Sequence, residues 1–195
     1  MSLVQKVAPE FKGKAVSGHE FRDISLEENK KAGKWTVLFF YPLDFTFVCP
    51  TEIIDFSNHV DEFQKLNAQV IGCSVDSHYT HLAWINTPRN EGGLGELKYP
   101  LLSDLNKEIA RSYGVLTDGG VALRGLFIIN PKGTVSYEVV HDLSVGRSPE
   151  ETLRVLAAFQ HVEKTGEVCP SSWKPGAKAM KGDVKGSKEY FATVK

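Results

Sequence analysis

The chain has 195 residues, enough for one well-buried core with a few tens of residues left over for loops or a terminal arm. Its 42% apolar, 10% aromatic and 24% charged residues are those of a globular protein, outside the disordered, collagen-like and membrane classes. A formal charge of −1 supplies no basic field for a phosphate backbone, and the longest apolar run, Val37–Tyr41, has five residues where a membrane span needs roughly eighteen, so neither nucleic acid nor membrane is expected as a partner.

The N-terminal stretch MSLVQKVAPEFKGKAV has neither the apolar segment of a secretory signal nor the Arg-rich bias of a transit peptide, which favours a cytosolic setting. Trp35 to Tyr41 is short, β-branched and aromatic and is closed by Pro42, which predicts a strand buried on both faces. Beyond Cys49, Pro50 suits a first helical position and Glu52 a first turn. Ile53, Phe56, Val60 and Phe63 recur at steps of three or four, predicting an amphipathic helix to about Leu66. Ala68 to Val75 reads as a second buried strand, and Asp76-Ser77 as the cap of a helix carrying His78, His81 and Trp84. Gly92, Gly93, Leu94 and Gly95 mark a loop.

Leu126 to Ile129 reads as another buried strand, and Asn130-Pro131-Lys132-Gly133 as a tight turn into Thr134 to Val140, giving a hairpin. Ser148-Pro149-Glu150-Glu151 combines an N-cap, a proline at the first helical position and a following Glu. It starts a helix to about Lys164 that Gly166 stops. Strands alternating with helices, finished by a hairpin and one more helix, predict an α/β fold with a central mixed sheet flanked by helices. After Gly166, lysines interleave with Gly and Pro, so the expected division is a domain over 1–165 and an arm over 166–195.

Three cysteines are too few and too odd in number for a disulfide framework; in a reducing compartment they are free, metal-bound or redox-active. Cys49 stands between a buried strand and a helix start, where unpaired backbone N–H groups and the helix dipole favour a thiolate. A buried, inert cysteine is the plain alternative, but polar Thr46 three residues earlier and the irregular LDFTFV loop argue for a reactive one. Cys73, in the middle of a strand, reads as core. Cys169 lies beside Pro170 on the polar arm, within a Val-Cys-Pro tripeptide that repeats the one at Cys49. One activated thiol and one accessible thiol are what a reaction through sulfenic acid requires, the second trapping the first as a disulfide before it oxidises further.

Residues 40–52, FYPLDFTFVCPTE, resemble the active-site motif of the typical 2-Cys peroxiredoxins, Pro-x-x-x-Thr-x-x-Cys. His81-Leu82-Ala83-Trp84, Gly92 to Gly95, Arg124 to Ile129, Val145 to Ser148, Gly166 to Pro170 and Lys188 to Phe191 agree with further motifs of that family, in order and at its spacing. The resemblance implies a thioredoxin-like fold and a thiol peroxidase that works without a cofactor. It makes Cys49 the nucleophile that attacks the peroxide, Thr46 and Arg124 its hydrogen-bonding supports, Pro42 its shield from water, and Glu52 and Arg147 the residues that orient Arg124. Cys169 of a neighbouring subunit is then the resolving thiol in an antiparallel homodimer, commonly built into a ring of five dimers. Thioredoxin or a similar dithiol protein would reduce the disulfide. Gly92 to Gly95 together with Tyr190 and Phe191 would pack over the site, slow the local unwinding that resolution requires, and make the enzyme sensitive to over-oxidation.

Rival readings are weaker. Disulfide exchange of the thioredoxin type needs Cys-x-x-Cys, and Thr46 occupies the place of the other cysteine. A metal module lacks closely spaced cysteines, so His78 and His81 are expected to be surface or structural. A non-catalytic holdase or scaffold ring remains the alternative function.

Overall fold

A computed structural model describes residues 2–193 of the chain, which forms two compact units, one ending at Arg147 and the other beginning at Ser148. In the first, the strands are β1 (Lys12–Ser17), β2 (Glu20–Ser25), β3 (Trp35–Phe40), β4 (Ala68–Ser74), β5 (Leu101–Ser103), β6 (Arg124–Ile129) and β7 (Val135–His141). They form one sheet in the order β2-β1-β5-β4-β3-β6-β7. Its helices are α1 (Leu26–Lys31), α2 (Cys49–Asn58), α3 (Val60–Lys65), α4 (His78–Asn86) and α5 (Glu108–Ser112).

β3 lies inside the sheet, parallel to β4 and antiparallel to β6. All six of its residues are buried, as its β-branched and aromatic sequence requires of a strand covered on both faces, and the Thr36 hydroxyl accepts from Asn29 Nδ2 at 2.9 Å. Each full burial of such a Val, Leu or Phe contributes about 1.5–3 kcal/mol. Phe39 stacks on Phe56 of α2 with ring centroids 4.7 Å apart, while Leu38 and Phe40 join a second cluster with Ile71, Cys73, Leu102 and Phe127. Because β6 runs antiparallel to β3, with Phe39 opposite Leu126, the first residue of β6, Arg124, is delivered to the end of the sheet where β3 finishes and the Cys49 loop begins.

The helix expected from Cys49 to about Leu66 is two helices. The chain breaks at His59 (φ −96°, ψ 5°), whose N–H donates to the carbonyl of Asp55 at 3.2 Å, and α3 resumes at Val60. His81 is wholly buried, so the surface option for it is corrected: its ring nitrogens lie 2.7 Å from Asp44 Oδ2 and 3.3 Å from the carbonyl of Leu102.

The second unit holds α6 (Pro149–Thr165) and α7 (Val184–Phe191). Ser148 Oγ accepts from the N–H of Glu151, and Gly166 closes α6 at φ 72°, a left-handed conformation that glycine adopts without strain. This unit begins at Ser148, whereas the sequence-based division falls at 165/166. The helix and the arm are joined by their own bonds: Arg154 Nη1 donates to the carbonyl of Trp173 at 2.8 Å, and His161 Nε2 lies 3.0 Å from Glu167 Oε2. α7, with Asp183 accepting from the N–H groups of Lys185 and Gly186, was not expected in a stretch so rich in Lys and Gly. No helix among the described residues is long and apolar enough to cross a membrane.

Candidate active site

Cys49 is the first residue of α2 and is completely buried. Val48 offers no side-chain cap and Pro50 fixes the backbone there, so the sulfur stands at the positive end of the helix dipole. Thr46 Oγ1 lies 2.9 Å from Cys49 Sγ and 2.9 Å from the carbonyl oxygen of Leu43. A hydroxyl has one proton, so Thr46 donates to one of these at a time; a thiolate draws the proton toward sulfur.

Arg124 Nη1 donates to Cys49 Sγ at 3.4 Å and to Glu52 Oε2 at 2.6 Å, while its Nε donates to the carbonyl of Leu143 at 2.8 Å. Glu52, one turn into α2, also accepts from Arg147: the backbone N–H at 2.7 Å, Nε at 2.8 Å and Nη2 at 3.2 Å. Arg147 Nη1 reaches the carbonyl of Gly125 at 2.7 Å, and its guanidinium sits 5.3 Å from the centroid of the Phe39 ring. Burial pushes the Arg147 guanidinium down from its ordinary value, with the Glu52 carboxylate opposing. Arg124, Arg147 and Glu52 are all buried. Two guanidiniums against one carboxylate leave one positive charge, which a thiolate at Cys49 would neutralise; unbalanced buried charge is costly, so the cluster is built to face an anion.

The AhpC/TSA family model matches residues 4–138, and a model described as the C-terminal domain of 1-Cys peroxiredoxin matches residues 158–193. The chain belongs to the AhpC/TSA family of peroxiredoxins. Peroxiredoxin 2 of Drosophila melanogaster is 58% identical over the full length of both chains. The mitochondrial thioredoxin-dependent peroxide reductase of Homo sapiens is 58% identical over 98% of this chain and 74% of its own. The crystal structure of reduced Plasmodium vivax 2-Cys peroxiredoxin matches with a TM-score of 0.96 at 46% identity, covering 99% of this chain and 100% of that one. The mixed sheet flanked by helices is thus a thioredoxin-like fold of the 2-Cys peroxiredoxin type.

Other residues singled out in the peroxiredoxin sequence lie at the following places. Pro42 is buried where β3 ends. Gly92 and Gly95 have φ of 83° and 63°, and a Cβ on Gly93 would come within 1.9 Å of the carbonyl oxygen of Thr87, so a side chain there would displace the loop. The loop is fastened to α4: Trp84 Nε1 donates to the carbonyl of Gly92 at 2.8 Å, and the N–H of Leu94 to the carbonyl of Trp84 at 3.0 Å. In the second unit, Cys169 is half-buried with Sγ 3.7 Å from the carbonyl of Ala158. Burial first, and Glu167 second, push its thiol up. Tyr190 and Phe191 end α7 with their rings edge to face, and Phe191 is exposed. Cys73 is buried in β4, and burial pushes its thiol well up.

Sequence reasoning missed the hydrogen bonds that hold the loop between β3 and Cys49. Tyr41 Oη donates to Asp44 Oδ1 at 2.9 Å, His81 Nδ1 meets Asp44 Oδ2, and the Asp44 N–H donates to Asp76 Oδ2 at 2.9 Å. Burial pushes the Asp44 carboxyl up and His81 opposes it. The available signal was a carboxylate flanked by Leu43 and Phe45 directly after a buried strand, a setting in which an acid needs buried partners.

Proposed function

We propose that this peroxiredoxin reduces hydrogen peroxide and organic hydroperoxides through Cys49, with Cys169 of a second subunit as the resolving thiol. The arrangement that carries the reading is the Cys49 sulfur at a helix start, with the Thr46 hydroxyl at 2.9 Å and the Arg124 guanidinium at 3.4 Å. The Cys49 thiolate attacks one oxygen of ROOH along the O–O axis; the S–O bond forms, the O–O bond breaks, and RO− leaves and takes a proton. Sulfur is oxidised to sulfenic acid and the peroxide is reduced to ROH and, for hydrogen peroxide, water. Charge spreads from sulfur across both oxygens as this happens, and donors fixed in a water-poor pocket stabilise it without reorganising. Thr46 and Arg124 are those donors, Pro42 excludes water, and Glu52 with Arg147 holds the Arg124 fork.

Cys49 is completely buried, so another chain's cysteine does not reach its sulfur while α2 is folded. The first turn of α2 therefore unwinds before the sulfenic sulfur meets Cys169, and water leaves as the disulfide forms. A thioredoxin-like dithiol then reduces that disulfide by exchange, in keeping with relatives named thioredoxin-dependent peroxide reductases. Gly92 to Gly95 and Tyr190-Phe191 slow the unwinding, and the enzyme is sensitive to over-oxidation. The working unit is an antiparallel homodimer, assembled further into a ring of five dimers. β7, one of the two edge strands of the sheet and covered on its outer side by residues 5–7 at its start, is a surface suited to such pairing over its remaining length. Three cysteines, too few and too odd in number for a disulfide framework, suit a reducing compartment, for which the cytosol is our reading. No observation favours the scaffold alternative.

The test is a non-reducing gel after about one equivalent of peroxide. The reading requires a covalent dimer that is absent in Cys49→Ser and Cys169→Ser and lost on adding reduced thioredoxin. A wild-type protein that stays monomeric on the gel overturns it.

A further inference from the structure

The two halves of α2 are held in different ways. At its start Val48 provides no side-chain cap; its carbonyl accepts from the Thr51 hydroxyl at 2.6 Å, the Thr51 N–H at 3.1 Å and, in the first helical hydrogen bond, the Glu52 N–H at 3.4 Å. Glu52 is clamped by Arg124 and Arg147 of the site, and from Ile53 onward the helix is fastened from outside by residues that no part of the chemistry uses. Tyr99 Oη donates to the carbonyl of Ile53 at 2.8 Å, and the N–H of Lys98 donates to Ser57 Oγ at 3.1 Å. Phe56 is stacked between Phe39 and Phe63, at 4.7 and 5.9 Å. Tyr99 and Ser57 are 2% and 3% exposed, and burial holds the Tyr99 phenol well above its ordinary range, so it remains a donor. The Ile53 carbonyl is inside the helix and already faces the N–H of residue 57 in the helical pattern, so the phenol adds a second restraint where the helix itself needs none.

We propose that Tyr99 is a positioning residue that stops the unwinding of α2 at Ile53 and thereby limits the rate at which Cys49 is resolved. With the stop in place the opening is confined to Cys49–Glu52, and Glu52 must part from Arg124 and Arg147 before all four residues come free; extended, they reach at most about 14 Å. Without it the opening runs deeper, and more of the open states bring Cys49 to the partner subunit's Cys169. The inference rests on the sulfenic acid and disulfide sequence proposed above. In the step concerned, the thiol sulfur of Cys169 bonds to the sulfenic sulfur of Cys49, the S–O bond breaks, and hydroxide leaves as water with the thiol proton. The same brake prolongs the life of the sulfenic acid and so favours a second oxidation to sulfinic acid by excess peroxide.

Tyr99→Phe removes only the hydroxyl. Rapid quenching after one equivalent of hydrogen peroxide, with alkylation and mass analysis, follows sulfenic acid and disulfide separately. Disulfide formation is expected to quicken about fivefold, the factor that one buried hydrogen bond represents, with the rate of the first, peroxide-dependent step unchanged. In the reduced protein, amide hydrogen exchange is expected to rise at residues 53–57. Tyr113→Phe is the control: its ring is buried, its hydroxyl donates to the carbonyl of Pro9 at 2.8 Å away from α2, and it should leave the disulfide rate alone. Ser57→Ala, which removes the acceptor of the Lys98 N–H, should act in the same direction as Tyr99→Phe and serves in its place if that variant does not fold. Equal disulfide rates in wild type and Tyr99→Phe, or an equal gain in Tyr113→Phe, overturn the role of Tyr99 while leaving the peroxidase reading intact. A wild type that forms no disulfide overturns both.

Discussion

Arg124→Met isolates what the guanidinium does. In the folded protein Arg124 Nη1 bridges Cys49 Sγ at 3.4 Å and Glu52 Oε2 at 2.6 Å, while Nε is held by the carbonyl of Leu143 at 2.8 Å. Methionine fills much of the volume and removes all three bonds. Glu52 keeps Arg147 as its ion partner, with Nε at 2.8 Å, so the buried carboxylate is not stranded. What disappears is one charge-assisted hydrogen bond to the reacting atoms, about 1.5–3 kcal/mol. At 1.36 kcal/mol per decade that is a loss of about 10- to 150-fold in the second-order rate of Cys49 with hydrogen peroxide. Stopped-flow measurement of single-turnover oxidation gives that rate directly. Arg124→Lys keeps the charge and loses the planar fork, and a single ammonium does not span sulfur, Glu52 and Leu143 together; it is expected to stay at least about tenfold slow. A Met variant within twofold of wild type would refute the assigned role, and a Lys variant at the wild-type rate would show that charge alone suffices.

Thr46→Val should slow the same step by about tenfold, the cost of one hydrogen bond to a charged group, and Thr46→Ser should restore most of it in the same assay. Burial and Glu167 hold the Cys169 thiol above its ordinary value, so less of the attacking thiolate is present at neutral pH, and disulfide formation should speed up as pH rises through and beyond the usual thiol range. Glu167→Gln should move that acceleration to lower pH; a pH-independent rate in both proteins would refute this. Asp44→Ala leaves His81, Tyr41 and the Asp44 loop without their buried acceptor, and urea unfolding should show about 3–5 kcal/mol less stability, whereas a loss under about 1 kcal/mol would mean the pair is not the brace it looks to be.

The elements legible in the sequence were those whose signal is local. β3 and β4 are short, mostly apolar runs, and the hairpin of β6 and β7 is announced by Asn130-Pro131-Lys132-Gly133. Ser148, Pro149 and Gly166 mark both ends of α6. Other elements lack such a signal. β1 and β2 (KGKAVS and EFRDIS) carry mixed polar residues and β2 is largely exposed, α1 is six residues without an apolar stripe, and β5 has only three residues and exists by pairing with β4 and β1. The pattern of Ile53, Phe56, Val60 and Phe63 continues through His59 because both short helices turn the same face inward, so periodicity did not reveal the break. In the candidate site, Thr46 and Cys49 are three positions apart and visible as a pair. Arg124 and Arg147 stand 72 and 95 positions from Glu52; the antiparallel placement of β6 beside β3 brings in Arg124, and Arg147, beyond β7, is tied to β6 through the carbonyl of Gly125. Without the family resemblance, those arginines carry no local mark that separates them from surface charges.

The central claim is that peroxide oxidises Cys49 and that Cys169 of another subunit captures it. Isotopically heavy and light protein, mixed until subunits exchange, can be given one equivalent of hydrogen peroxide and digested without reduction for mass spectrometry. The account predicts peptides in which Cys49 of one isotope is joined to Cys169 of the other. Oxidation that settles on Cys73 or Cys169 with Cys49 intact, or links found only within one isotope, would contradict it.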